Sequence, residues 1–456
     1  MKTPTTNEDV VKLLQQSNHN KVRVAVADID GVMRGKLMHK DKLIHVLKGG
    51  FGFCNVVFGW DMGDQAYDNV EVSGWHTGYP DQNAYIDLST FRLIPWEDDL
   101  PFMLADFYCD PDNQFPVCPR TLLKKIISET EESGFTPLFS QEFEWFNYKE
   151  NPENLYQKGF NHLTPLTSGM FGYSILKSSE YSDFFHDLFD LLDKFGIPLE
   201  GLHTETGPGV YEAAIQYSKI LEAADRAFLF KTACKEIGFR HGIIPSFMAK
   251  QTKELPGCSG HIHQSLWNAN KNTNLFHDPS DENQMSQLFN SYLAGQIYCL
   301  PHILPMYAPT VNSYKRLVEG AWAPTTITWG IDNRTTAFRV IAAGVKATRL
   351  ESRVVGSDVN PYLAMAACLA SGLYGIKNNL DLDLKPTMGN GYQDRGRGTL
   401  PSSLIDASNA MKNSNIAEEL FGRDFVHHFT QTREWEWRQF AAHVTDWEMK
   451  RYFEII

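Results

Sequence analysis

The chain has 456 residues, 43% of them apolar and 12% aromatic, and a formal net charge of -13. That composition supports a large core and two or three domain-sized units, and no run of about 18 apolar residues offers a membrane span. The negative balance opposes non-specific binding to nucleic acid or anionic lipid but leaves room for one local basic pocket. Residues 1–20 carry neither the basic start nor the apolar stretch of a signal peptide, which predicts a cytoplasmic protein. The seven cysteines are scattered, odd in number and never spaced Cys-x-x-Cys, so reduced thiols are expected in place of a disulfide framework or zinc ribbon.

Thr6 and Asn7, followed by Glu8 and Asp9, predict a helix start, and Val22, Val24 and Val26 then alternate as a strand ending at the Asp30-Gly31 turn. Gly31 to Leu37 (GVMRGKL) has a superficial likeness to a phosphate loop, but its glycines are too close and Leu37 stands where a metal-binding hydroxyl is needed. It is rejected as a nucleotide site. The polar, proline-containing stretch Asp110 to Pro119 precedes an amphipathic helix predicted over Arg120 to Gly134, and the domain boundary is placed there. Beyond it, short strands carrying charged residues interleave with helices predicted at Tyr217 to Ile237 and Pro361 to Asn378, an α+β pattern. Asp381 to Ser403 reads as a surface loop.

Six segments carry candidate chemistry. Glu142 and Glu144 lie two apart in a strand-like aromatic segment (FSQEFEWFNY), so both carboxylates leave one face and need a cation or a proton between them. A solvated strand edge is the competing reading of a lone Glu-x-Glu. Glu205 and Glu212 flank Thr206-Gly207-Pro208-Gly209, a turn able to bring two more carboxylates together or to serve as a plain surface hairpin. In GCSGHIHQS, His261, His263 and Ser265 alternate onto one strand face, where imidazoles suit a metal or a phosphate. In TRLESR, Arg349, Glu351 and Arg353 alternate likewise and set a carboxylate between two guanidinium groups. NSYKR and WGIDNRTTAFR add Arg316, Arg334 and Arg339, natural forks for carboxylate and phosphate.

In this order the motifs resemble the glutamine synthetase family over nearly the whole chain: Glu-x-Glu at 142, ETGPGVYE, GxxGHxHxS, NSYKR, NRT with a following Arg, and Arg-x-Glu-x-Arg leading into NPYLAMAA. The resemblance implies an α+β fold with a small β-grasp-like domain over residues 1–115. A catalytic domain over 116–456 would hold a curved antiparallel sheet flanked by helices, as in glutamine synthetases and guanidino kinases. It implies Glu144, Glu205 and Glu212 as ligands of one metal ion and Glu142, His261 and Glu351 as ligands of a second, with Mg²⁺ or Mn²⁺ favoured by a carboxylate-rich set. By the same match His263, Ser265, Arg334, Arg339 and Lys346 would hold ATP, and Arg316 and Arg353, with backbone at Gly257, would hold glutamate. The implied reaction joins glutamate to an amine through a γ-glutamyl phosphate. The implied assembly is a homo-oligomer of two stacked hexamers whose sites lie between subunits, with Trp60 and Asp61 lining the neighbour's site.

The sequence departs from ammonia-using members at Trp322, where the flap carries a glutamate, and at Gly59, where an ammonium-holding aspartate is expected, so that Asp61 would have to shift into that role. Pro256 replaces an asparagine and Asp332 an arginine. A tryptophan rim favours an amine with a carbon skeleton, as in the γ-glutamylpolyamine and γ-glutamyl-alkylamide branch, although a tryptophan can also be a plain loop anchor. True glutamine synthetase is the alternative within the family, and a silent structural homologue like lengsin is the alternative of another class. Five converging carboxylates argue against silence, because their repulsion is costly without cations.

Overall fold

A computed structural model describes residues 4–110, 113–270 and 272–456. Met1 to Thr3 of the N-terminal stretch, and Pro111 and Asp112 of the segment chosen as the domain boundary, lie outside them. Among the described residues the fold is α+β and holds two sheets.

The first sheet contains β1 (Lys21–Ala27), β2 (Met33–His39), β3 (Phe51–Cys54), β4 (Asp81–Ile86), β5 (Arg92–Ile94), β6 (Leu100–Asp110) and β7 (Asn113–Gln114). Its order is β2-β1-β6-β4-β3, with β5 and β7 also paired to β6, and β1 runs parallel to β6. Thr6 caps the helix Asn7–Gln16 through a capping box with Asp9, so the helix begins where the sequence places it. Alternation on β1 divides its side chains. Val22, Val24 and Val26 join Val10, Leu14, Leu43 and Phe107 in one core, while Ala25 and Ala27 join Phe102, Leu123 and Phe143 in another. The sheet is therefore buried on both faces, which accounts for the unbroken apolar run at the start of β6.

The second sheet contains β8 (Phe135–Tyr148), β9 (Leu199–Thr204), β10 (Val210–Ile215), β11 (Ser218–Lys219), β12 (Ile244–Ser246), β13 (Ile262–Asn268), β14 (Trp329–Ile331), β15 (Phe338–Ile341) and β16 (Arg349–Ser352). Its order is β14-β15-β16-β13-β8-β10-β9, with β11 and β12 also on β8; among these pairs only β14 and β15 run parallel. Phe139, Phe143 and Trp145 of β8 point into the large core, which they share with the helices Ile220–Arg240, Gln287–Ile303 and Pro361–Lys377. The residues between them, Ser140, Glu142 and Glu144, point to the concave side. Two of these helices touch through glycine. A Cβ on Gly295 or Gly375 would strike the backbone of the facing helix.

The predicted helices shift slightly. The one expected from Tyr217 begins at Ile220, because Ser218 and Lys219 pair with β8 first. The one expected from Arg120 spans Pro119–Glu132, with proline in its first turn. The 381–403 segment is more than a surface loop: Thr387, Tyr392 and Leu400 are buried, and the Thr387 N–H donates to the Trp329 carbonyl at 2.8 Å, bracing β14. No helix among the described residues is long and apolar enough to cross a membrane.

Candidate active site

The concave face of the second sheet opens into a cavity of about 970 Å³. β8 supplies Glu142 and Glu144, the β9–β10 hairpin Glu205 and Glu212, β13 His263 and Ser265 with His261 just before it, and β16 Glu351. The antiparallel register sets Glu212 opposite Glu144 and Glu351 opposite His263. Gly207 and Gly209 take positive φ in the hairpin turn, and a Cβ on Gly209 would press on the Asn147 carbonyl, so this turn demands glycine.

Charge is divided unevenly among the carboxylates. Burial and the facing Glu212 push Glu144 up to about 8, against the pull of the Ser259 N–H, which donates to it at 2.7 Å. Burial also acts upward on Glu142 but is outweighed by His263 and His261, which hold it well below the ordinary carboxylate range. Glu351, fully buried, is likewise brought down to about 2 by Arg353 and the two imidazoles in spite of desolvation. Burial and the Arg353 charge lower His261 to about 4, so its ring is neutral near pH 7.

His261 Nδ1 lies 3.1 Å from Glu142 Oε1 and 3.3 Å from Glu351 Oε1, while its Nε2 is buried without a hydrogen-bond partner among the described residues. A neutral imidazole beside two carboxylates, with one orphaned nitrogen, fits a divalent cation. Glu142, His263 and Glu351 bring donor atoms within 4.8 Å of one another, and so do His203, Glu205 and Glu212. Distance alone makes His263 a candidate ligand, but Arg349 Nε donates to its Nδ1 at 3.1 Å. That bond uses the Nδ1 lone pair and leaves the proton on Nε2, so His263 faces the cavity as a donor. The donor set is hard, oxygen-rich and suited to Mg²⁺ or Mn²⁺.

On the other wall Arg353 donates to Glu351 at 2.5 Å and to the Arg334 carbonyl at 3.1 Å, and its third nitrogen lies 3.5 Å from the Trp322 carbonyl. The second guanidinium on Glu351 is not Arg349 but Arg339, at 2.8 Å, because β15 places Arg339 directly across from Glu351. Arg334, Lys346, Gly257 and Trp322 also line the cavity. Trp322 is 64% exposed and sits at φ +58°, a backbone conformation uncommon for an aromatic residue.

Arg316 and Asp61 do not line it. Arg316 is buried behind the wall, where its guanidinium donates to the Arg353 and Val354 carbonyls and to Ser259 Oγ. A Cβ on Gly257 would press into its stem at 2.7 Å, so Arg316 shapes the wall that includes Gly257. Asp61 closes its own turn through the N–H groups of Gly63 and Gln65 and accepts from Trp435 Nε1 at 3.1 Å. Among lining residues the sequence reading missed, His203 had a signal, lying two before Glu205 on one strand face. Tyr173 had none: it reaches His203 from a loop at φ +57°, its ring stacked 4.4 Å away.

Comparison with known proteins identifies the family and the fold. Residues 116–452 match the family described as the glutamine synthetase catalytic domain. The chain is 55% identical over 438 residues to type-1 glutamine synthetase 2 of Dictyostelium discoideum, covering 95% of this chain and 84% of that one. It is 35% identical to the glutamate–isopropylamine ligase of a Pseudomonas species, covering 97% of each chain. It is 32% identical to the γ-glutamylethanolamide synthetase GlnA4 of Streptomyces coelicolor, covering 99% of this chain and 96% of that one. A solved GmaS/ADP complex superposes with a TM-score of 0.84 at 27% identity, covering 98% of this chain and 99% of that one. With its carboxylates converging in one cavity, the chain belongs to the glutamine synthetase family of ATP-dependent carboxylate–amine ligases.

Proposed function

We propose that this ligase forms a γ-glutamyl amide from glutamate and an organic amine. The observation that carries the choice of amine is Gly59. A Cβ there would stand 2.8 Å from the Tyr79 ring and 2.9 Å from the Ser73 carbonyl, so the backbone leaves no room for an ammonium-holding aspartate. Trp322 at the rim supports the same reading, since an indole face covers apolar and cationic groups where a carboxylate would take a proton from ammonium. Relatives named for isopropylamine and ethanolamine agree with it, and the 55% identity to a protein named glutamine synthetase favours ammonia as the second reading.

In this reading residues 1–115 and 116–456 form the two domains. Glu144, Glu205 and Glu212 hold one Mg²⁺ or Mn²⁺ ion, and Glu142, His261 and Glu351 hold another. These cations would supply charge neutralisation for phosphoryl transfer. His263, Ser265, Arg334, Arg339 and Lys346 orient ATP, Arg353 holds glutamate, and Arg316 positions Arg353 and Gly257. A γ-carboxylate oxygen of glutamate attacks the γ-phosphorus and ADP departs. The amine nitrogen then attacks the acyl carbon, phosphate leaves and the nitrogen sheds a proton. Arg334 and Arg339 stabilise charge on the transferring phosphoryl group. The protein acts as a homo-oligomer of two stacked hexamers, with Trp60 and Asp61 offered to the neighbouring site, in the cytoplasm.

The Trp322→Glu variant tests the amine assignment. Use of ammonium relative to isopropylamine is expected to rise about tenfold, or ~1.4 kcal/mol in transition-state discrimination. An unchanged ratio means that Trp322 only anchors its loop.

A further inference from the structure

β14 ends at Ile331, and the next residue, Asp332, turns into the left-handed region at φ +48°, which aspartate tolerates better than most side chains. Its N–H donates to the Val340 carbonyl at 2.9 Å, fixing the turn. The turn delivers the carboxylate to Arg339. Nε and Nη2 of that guanidinium donate to Asp332 Oδ1 at 3.0 and 2.5 Å, and Nη1 donates to Glu351 Oε2 at 2.8 Å. The two carboxylates differ in kind. The Asp332 side chain is 69% exposed and stands outside the cavity lining, while Glu351 is fully buried and also binds Arg353.

We propose that Asp332 is a positioning residue for the phosphate-binding arginine: it holds the plane of the Arg339 guanidinium while Nη1 exchanges Glu351 for a phosphate oxygen of the nucleotide. The inference rests on the reading that Arg339 contacts phosphate and Glu351 a cation. A carboxylate drawn to a cation is a weaker partner for Arg339. The Asp332 bonds use the opposite edge of the fork, so they survive the exchange and leave Nη1 aimed into the cavity. Asp332 therefore acts through Arg339 without touching substrate. It also explains why an acidic residue stands at a position next to a polyphosphate site.

A simple counterion role predicts the opposite sign, because removing a negative charge near bound phosphate strengthens nucleotide binding. Asp332→Gly removes the carboxylate without backbone strain, and Asp332→Asn keeps one acceptor oxygen at the same φ. Two readouts apply to the intact enzyme: ADP binding with Mg²⁺ by calorimetry, which needs no turnover, and phosphate release at saturating amine. In Asp332→Gly, ADP binding is expected to weaken about three- to tenfold and kcat to fall about tenfold, with the KM for glutamate within about twofold. Asp332→Asn falls between that variant and wild type, and both melt within about 1 °C of wild type, since the exposed pair adds little stability. ADP binding that tightens, or that stays within about twofold of wild type while kcat does the same, overturns the proposal. Arg339→Ala in parallel separates the two levels of argument: full ADP affinity and turnover there remove the phosphate role of Arg339 itself.

Discussion

Glu144 and Glu212 face each other directly across the β8–β10 ladder. Like charges at opposed positions destabilise a sheet, and burial makes this pair harder to ionise together. A fold selected only for stability has no use for such a pair. The account therefore predicts that Glu144→Gln raises the melting temperature of the cation-free protein while cutting cation-dependent turnover by about 10²-fold or more. Saturating Mg²⁺ should shrink or reverse the stability gain, because only wild type then gains the full binding energy. Calorimetry with and without Mg²⁺ checks both halves.

Arg353 joins three parts of the wall, Glu351, the Arg334 carbonyl and the rim at Trp322. Lysine keeps the charge but cannot span them. Arg353→Lys is expected to lower kcat/KM for glutamate by about 10²-fold, mostly through KM, with a smaller effect on ATP. Steady-state kinetics with each substrate varied decides it.

Stability rests on a different ion cluster. Buried Arg120 donates to Asp225 at 2.7 and 2.8 Å and to Asp106 at 2.7 Å, joining the helix at its own position to β6 and to the helix Ile220–Arg240. Arg120→Met leaves buried carboxylates without their guanidinium and should cost about 3–5 kcal/mol, read from the urea midpoint.

The same cluster sets an acid limit. Burial acts upward on Asp87, but Arg120 and Lys124 outweigh it and hold the carboxyl far below its ordinary value. A depressed folded-state pKa contributes stability that is fully present above the unfolded value, near 4, and is lost as pH falls below it. The melting temperature of wild type should therefore fall more steeply between about pH 5 and 3 than that of Arg120→Met, in which Asp87 has lost one of its two cations.

Much of this site was legible because strands repeat every two residues. Glu142 with Glu144, and His261 with His263 and Ser265, share faces that the alternation alone assigns. Partners across strands were not legible. Glu351 meets Arg339, directly opposite on β15, and not Arg349, whose guanidinium is taken by His263 Nδ1 and the Ala347 carbonyl. Arg120, a helix residue with no motif around it, gave no hint that three aspartates from distant parts of the chain would gather on it. Tyr173 and the buried side of the 381–403 loop were hidden for a related reason: irregular backbone has no period from which a facing direction can be inferred.

The most direct measurement of the central claim is phosphate release from ATP with Mg²⁺, glutamate and a panel of ammonium, methylamine, isopropylamine, ethanolamine, putrescine and aniline, each product identified by mass. The account predicts a γ-glutamyl amide of an organic amine, with kcat/KM at least about tenfold above ammonium. Glutamine as the preferred product would contradict the choice of amine and make this a glutamine synthetase with an unusual rim. No phosphate release with any amine would contradict the ligase mechanism assigned to the site.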